Sequence, residues 1–169
     1  FGGIRMDVSQ DELEHLAAQL GRALLRHGWR LAVAESCTGG WAAQALTAVA
    51  GSSQWFERGF VTYSNDAKQD LLGVSGRTLV QFGAVSMETA REMADGVLAN
   101  SRAQVAFAIT GIAGPTGGSL DKPVGTVCFA WSWPGVATLA GREHFEGDRR
   151  QIRAQSVRHA LGRMLALMT

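Results

Sequence analysis

The sequence predicts an α/β fold, a three-layer α/β/α sandwich around a mixed β-sheet. Three observations lead there. Segments with helical periodicity alternate with short apolar runs of strand length. Two of those runs, 31–34 and 103–110, stop at polar, glycine-rich turns, the position where α/β folds build sites. Two later runs, 127–133 and 136–145, flank Pro134-Gly135 as the arms of an antiparallel hairpin would, so the sheet is expected to be mixed.

The elements follow in order. Ser9 and Glu12 form a capping-box pattern ahead of Leu13, Leu16, Ala17, Leu20 and Leu24, and Gly28 closes that helix. Residues 31–34 are a buried strand that breaks into Glu35-Ser36-Cys37-Thr38-Gly39-Gly40, after which an alanine-rich helical pattern runs over 41–49. Residues 55–63 (WFERGFVTY) are β-branched and aromatic enough for a strand. Asn65 is expected to cap a short helix that carries Lys68 and ends at Gly73. Ser86 opens a longer helix with Met87, Ala90, Met93, Ala94, Val97 and Leu98 along one face. The strand at 103–110 leads into a loop over 111–125 that holds five of the glycines and two of the three prolines. Asp148 caps a last helix whose Ile152, Val157, Leu161, Met164, Leu165 and Met168 face inward.

Length and composition bound the function. At 169 residues the chain suits one domain, read as 9–169, behind a tail at 1–8. Residues 1–5 precede Met6 and are read as foreign to the native start. No apolar run approaches the ~20 residues that span a bilayer, and the N-terminus has no apolar signal segment. Cys37 and Cys128 lie far apart with no metal-type spacing, and the four histidines show none either. A membrane protein, a disordered chain and a secreted disulfide scaffold are excluded, and a reduced, cytoplasmic chain is expected. Sixteen basic residues against fifteen acidic ones leave +1, so direct nucleic-acid binding is not expected. Fourteen of the sixteen are arginine, which singles out Lys68 and Lys122. The five tryptophans read as core or interface, and with the apolar composition they favour a homo-oligomer.

Four segments can carry chemistry. The strand-to-helix turn 35–40 leaves N–H groups that bind phosphate or an oxyanion, with Ser36 as nucleophile or phosphate donor; helix capping by Ser36 or Thr38 explains the same residues. In the second, Tyr63-Ser64-Asn65-Asp66-Ala67-Lys68, a buried lysine of depressed pKa activates a serine and a phenol relays the proton; an exposed Lys68 paired with Asp66 or Asp70 is the plain alternative. The third, 110–119, is a glycine loop whose backbone comes close to a ligand. In the fourth, Arg149 and Arg153 lie one helical turn apart and could both face a phosphate or carboxylate, or simply be solvated.

With those segments in order, the chain resembles the CinA C-terminal domain family, the nicotinamide mononucleotide deamidases. AESCTGG (34–40), YSNDAK (63–68), TGIAGPTGGS (110–119) with KPVGTV (122–127), and FEGDRRQIR (145–153) carry the resemblance. Longer members carry a preceding domain, which the sequence does not contain. The resemblance implies hydrolysis of the substrate carboxamide to nicotinate mononucleotide and ammonia, with no metal or other cofactor. It implies Ser36 as nucleophile, Lys68 as general base and Tyr63 as an assisting hydroxyl. Thr110, Gly111, Gly114, Gly117 and Arg149 would hold the mononucleotide, and Thr38, Gly39 and Gly40 would line the oxyanion side. Two other classes stay open: a non-catalytic nucleotide or phosphate sensor, and a protein-interaction module of a competence or DNA-damage response.

Overall fold

The computed structural model describes residues 5–169, so the first four positions of the expected tail lie outside the described residues. The chain runs α1 (Gln10–His27), β1 (Leu31–Glu35), α2 (Trp41–Thr47), a 3-10 turn (Ser52–Gln54), β2 (Phe56–Val61), α3 (Asn65–Leu72), α4 (Gly76–Phe82), α5 (Met87–Ala99), β3 (Val105–Gly111), β4 (Thr126–Ser132), β5 (Leu139–His144) and α6 (Arg149–Met168).

The strands form one sheet in the order β2-β1-β3-β4-β5. β1 is parallel to β2 and β3, whereas β4 is antiparallel to β3 and β5, so the sheet is mixed as expected. The central strands alternate large and small residues, and the alternation sorts the two faces. Leu31, Val33, Val105, Phe107, Ile109, Val127, Phe129 and Trp131 pack against α1, α2 and α6. Ala32, Ala34, Ala106, Ala108, Cys128 and Ala130 face α3, α4 and α5. Neighbours in a strand point to opposite faces, so patterns such as LAVAE and VAFAI produce one bulky and one smooth face. Each fully buried Leu, Ile or Phe contributes about 1.5–3 kcal/mol, and the bulky face therefore holds the larger share of the core.

On the smooth face α5 closes on its neighbours. A Cβ on Gly96 of α5 would lie 2.0 Å from the Leu72 carbonyl of α3. That glycine sets how near α5 lies to α3, which carries Lys68.

Several local expectations shift. The side chain of Ser64, not Asn65, caps α3 by accepting from the Ala67 N–H, and Gly73 closes the helix as expected. α4 had no counterpart in the sequence reading: seven residues capped by Ser75 are too short to display a periodicity. α2 stops at Thr47, and β2 covers only Phe56–Val61 of the expected 55–63, with Trp55 buried in the core just before it. Leu165 is only partly buried. Ser9, Ser86 and Asp148 cap their helices as read, the last with a complete capping box through Gln151.

Candidate active site

β1, β2 and β3 are parallel and end on the same edge of the sheet, with Glu35 level with Val61 and Ile109. The chain leaves β1 for β2 on one side, and β3 lies on the other. A crevice opens at such a switch in strand order. Here it is a cleft of about 270 Å³ lined among others by Ser36, Tyr63, Lys68, Thr110, Gly114 and Arg149.

Ser36 is the first residue beyond β1. Its N–H donates to the Ile109 carbonyl at 3.0 Å, while the Glu35 carbonyl accepts from Thr62 N–H at 2.8 Å. Neighbouring strands on both sides thus hold the backbone where the side chain enters the cleft. The turn into α2 passes through Gly40 at φ 104°, a left-handed conformation that other residues rarely adopt. Glu35, 1% exposed, points away from the cleft. Its carboxylate accepts from the Thr38 hydroxyl at 2.6 Å and from the N–H groups of Ala42 and Ala43 at 2.8 and 3.0 Å. A charge is tolerated there because the first turn of α2 supplies the donors that water would.

Lys68 reaches the cleft from α3 and is 1% exposed. Its Nζ lies 3.1 Å from Ser36 Oγ, 3.0 Å from the Thr62 carbonyl and 3.3 Å from the Tyr63 carbonyl. No carboxylate pairs with it among the described residues, so the exposed lysine paired with Asp66 or Asp70 is not what folds. Burial depresses its pKa below the ordinary lysine value. The same three partners suit either protonation state. An ammonium donates to all three, and Ser36 Oγ can then donate to the Tyr63 carbonyl 3.4 Å away. A neutral amine donates to the two carbonyls and keeps its lone pair for the serine proton.

Tyr63 is arranged differently from the sequence expectation. Its backbone carbonyl, not its phenol, meets Ser36 and Lys68. The ring is exposed at the rim, where the hydroxyl accepts from Arg149 Nη2 at 3.3 Å. Arg149 also donates to the Gly114 carbonyl at 2.7 Å, so it bridges the tyrosine to the glycine loop. Thr110, Gly111, Gly114 and Gly117 line the cleft, and the Thr110 hydroxyl donates to the Ala84 carbonyl at 2.8 Å. The other singled-out lysine, Lys122, donates to the Phe82 carbonyl at 2.5 Å and ties the loop to the end of α4. At the base of the loop a Cβ on Gly125, at φ 97°, would lie 2.1 Å from the Phe145 carbonyl.

Thr38, Gly39 and Gly40 do not line the cleft. Thr38 is fully buried behind the turn with its hydroxyl spent on Glu35. Cys37 does line the cleft, but burial, outweighing the nearby Arg153 charge, pushes its thiol up to about 12. At neutral pH a thiol of that pKa holds almost no thiolate, so beside Ser36 and Lys68 it is no nucleophile. Sequence reasoning missed Ala84 and Val85 of the α4–α5 connection, which form the far wall. They are apolar residues in a short linker and carry no signal of their own. The bonding of Glu35 was legible in principle: a carboxylate ending an apolar strand just before a helix start is a ready cap.

Comparison with known proteins finds relatives over most of the chain. A profile of the CinA C-terminal domain matches residues 13–168. The nicotinamide-nucleotide amidohydrolase PncC of Escherichia coli K12 is 51% identical over 154 residues, 91% of this chain and 93% of that protein. The protein of the same name from Pseudomonas putida is 48% identical over 159 residues, 94% of this chain and 99% of its own length. The crystal structure of the competence/damage inducible protein CihA from Agrobacterium tumefaciens superposes with a TM-score of 0.89 at 48% identity, covering 93% and 96% of the two chains. With the profile spanning nearly all of the described fold, the chain belongs to the CinA C-terminal domain family.

Proposed function

We propose that the chain hydrolyses the carboxamide of nicotinamide mononucleotide, releasing nicotinate mononucleotide and ammonia, through a Ser36–Lys68 pair. The observation that carries the mechanism is the 3.1 Å contact between a buried, carboxylate-free lysine and a serine at a strand end. The relatives named nicotinamide-nucleotide amidohydrolase support the substrate.

An amide is a weak electrophile, and its amine is a poor leaving group. Neutral Lys68 takes the Ser36 proton as Oγ bonds to the carboxamide carbon, and the carbonyl oxygen becomes an oxyanion. The N–H of Cys37, the residue of the turn that lines the cleft beside Ser36, stabilises that charge. The C–N bond then breaks, with the Lys68 proton going to the departing nitrogen, so ammonia leaves and an ester on Ser36 remains. Water gives a proton to Lys68 and attacks the ester. The Lys68 proton returns to Ser36 Oγ as the ester C–O bond breaks, and the acid product ionises to the carboxylate, its proton ending on the released ammonia. One water is consumed per ammonia released. Proton transfer and oxyanion stabilisation each contribute about 10²–10⁴-fold in such reactions.

The phosphate end of the substrate is assigned to Arg149 and the 110–119 loop at the other end of the cleft. A charge-assisted contact there supplies remote binding energy that positions the carboxamide against Ser36. Ammonia release from nicotinamide mononucleotide tests the reading, with Ser36→Ala in parallel. Activity in the parent alone supports it. Activity in both leaves an amidohydrolase with another nucleophile, and silence from both with calorimetric binding intact replaces it with a nucleotide sensor.

A further inference from the structure

Arg149 and Arg153 lie one turn apart on α6, yet they meet different groups. Arg149 lines the cleft and bridges Tyr63 to Gly114. Arg153 does not line it. Its Nε donates to the Cys37 carbonyl at 3.0 Å and its Nη2 to the Thr38 carbonyl at 3.1 Å, with the guanidinium 5.4 Å from the centre of the Trp41 ring. The ring and both carbonyls hold the fork in one orientation, which a point charge on a flexible stem would not match.

The turn is therefore gripped twice. Arg153 takes its carbonyls from α6, and Glu35 takes the Thr38 hydroxyl and the first N–H groups of α2 from the other side. Among the described residues the N–H groups of Cys37 and Thr38 have no hydrogen-bond partner. Thr38 is fully buried, and buried N–H groups without a partner are rare. In a trans peptide the N–H points opposite to the carbonyl, so a guanidinium on the Cys37 carbonyl fixes the direction of the Thr38 N–H. It also polarises that peptide and makes its N–H a stronger donor.

We propose that Arg153 is a positioning residue for the reaction: through the Cys37 and Thr38 carbonyls it sets the peptide planes that follow Ser36, and it does not contact the substrate. This rests on the Ser36 reading above. Arg149 belongs to binding and Arg153 to the chemical step, so their loss should move different kinetic constants.

The test is steady-state kinetics of ammonia release, with calorimetric binding of nicotinamide mononucleotide, on Arg153→Met, Arg153→Lys, Arg149→Met and Ser36→Ala. Arg153→Met is expected to lower kcat by about 10²-fold, the scale of a 1 Å misplacement, with KM and Kd within about threefold of the parent. Arg153→Lys keeps the charge but not the fork, and its kcat should fall between the two. Arg149→Met should do the reverse and raise KM. A rise in KM and Kd with kcat intact in Arg153→Met places Arg153 on the substrate and overturns the proposal, as does no change at all. If Arg153→Met does not melt cooperatively, Arg153→Lys decides: a lowered kcat at unchanged KM supports positioning, and parental kinetics overturn it. Turnover retained in Ser36→Ala defeats the nucleophile reading itself, a failure distinguishable from any Arg153 result.

Discussion

Lys68 Nζ and Ser36 Oγ lie 3.1 Å apart although 32 positions separate them in the chain. One stands just past the end of β1 and the other on α3, and the parallel pairing of β1 with β2 brings them together. Among the described residues no carboxylate pairs with the lysine to keep it charged, which suits the base role proposed for it.

Removing the amine should therefore remove the chemistry but not the binding. Lys68→Met is expected to lower kcat by about 10²–10⁴-fold, the usual range for a lost general base. Calorimetric binding of the mononucleotide should persist. A change of less than tenfold in kcat would make Lys68 a structural residue.

The activity should also rise with pH. Lys68 must be neutral to accept the Ser36 proton, and burial lowers its pKa. The expected kcat/KM profile climbs through an apparent pKa below the ordinary lysine value and then levels. A profile flat from pH 6 to 10 would assign the base elsewhere.

The same shift makes stability depend on pH. Above the ordinary lysine pKa both folded and unfolded chains hold a neutral amine, and the desolvation penalty is absent. Below the depressed folded value both are protonated, and the folded chain bears the penalty in full. Between the two values the unfolded state binds more protons, so stability rises with pH. Melting of the parent should gain on that of Lys68→Met as pH increases across that window, and a parallel trend in both proteins would contradict the shift.

Cys37 lies beside the nucleophile but should be inert. With its thiol pushed up to about 12, iodoacetamide at pH 7 is expected to leave turnover unchanged over hours. Rapid inactivation with alkylation mapped to Cys37 would show a thiolate there.

Gly96 links packing to the site. Its Cβ would meet the Leu72 carbonyl at 2.0 Å, so Gly96→Ala must push α3 and α5 apart. Overpacking of this kind typically costs about 1–3 kcal/mol, to be read from denaturant unfolding. Because α3 carries Lys68, kcat should fall as well. Parental stability and kcat would mean that the two helices separate without cost.

Much of the fold was legible from local rules. Ser9, Ser86 and Asp148 are side-chain caps, whose partners lie within three residues. α4 escaped because two turns show no period, and the cap of α3 lies one position before Asn65, at Ser64, because both residue types can cap a helix. The site divides in the same way. Its four segments stood out by composition and order, but the contacts of Tyr63, Thr38 and Arg153 did not. Whether a phenol or a carbonyl meets a lysine depends on rotamers set by packing between distant elements.

The sequence by itself determined the alternation of large and small strand residues, and with it which sheet face is bulky and which is smooth. It also determined the glycine turns at the ends of β1 and β3 and the family to which those motifs belong. Only the tertiary structure decided that Lys68 is buried and, among the described residues, without a paired carboxylate. Only there, too, does Arg149 take the rim while Arg153 takes the turn after Ser36. Local pattern depends on spacing along the chain, which a sequence displays. Proton affinity and donor direction depend on what the other segments exclude and supply, and that exists only once the strands are paired.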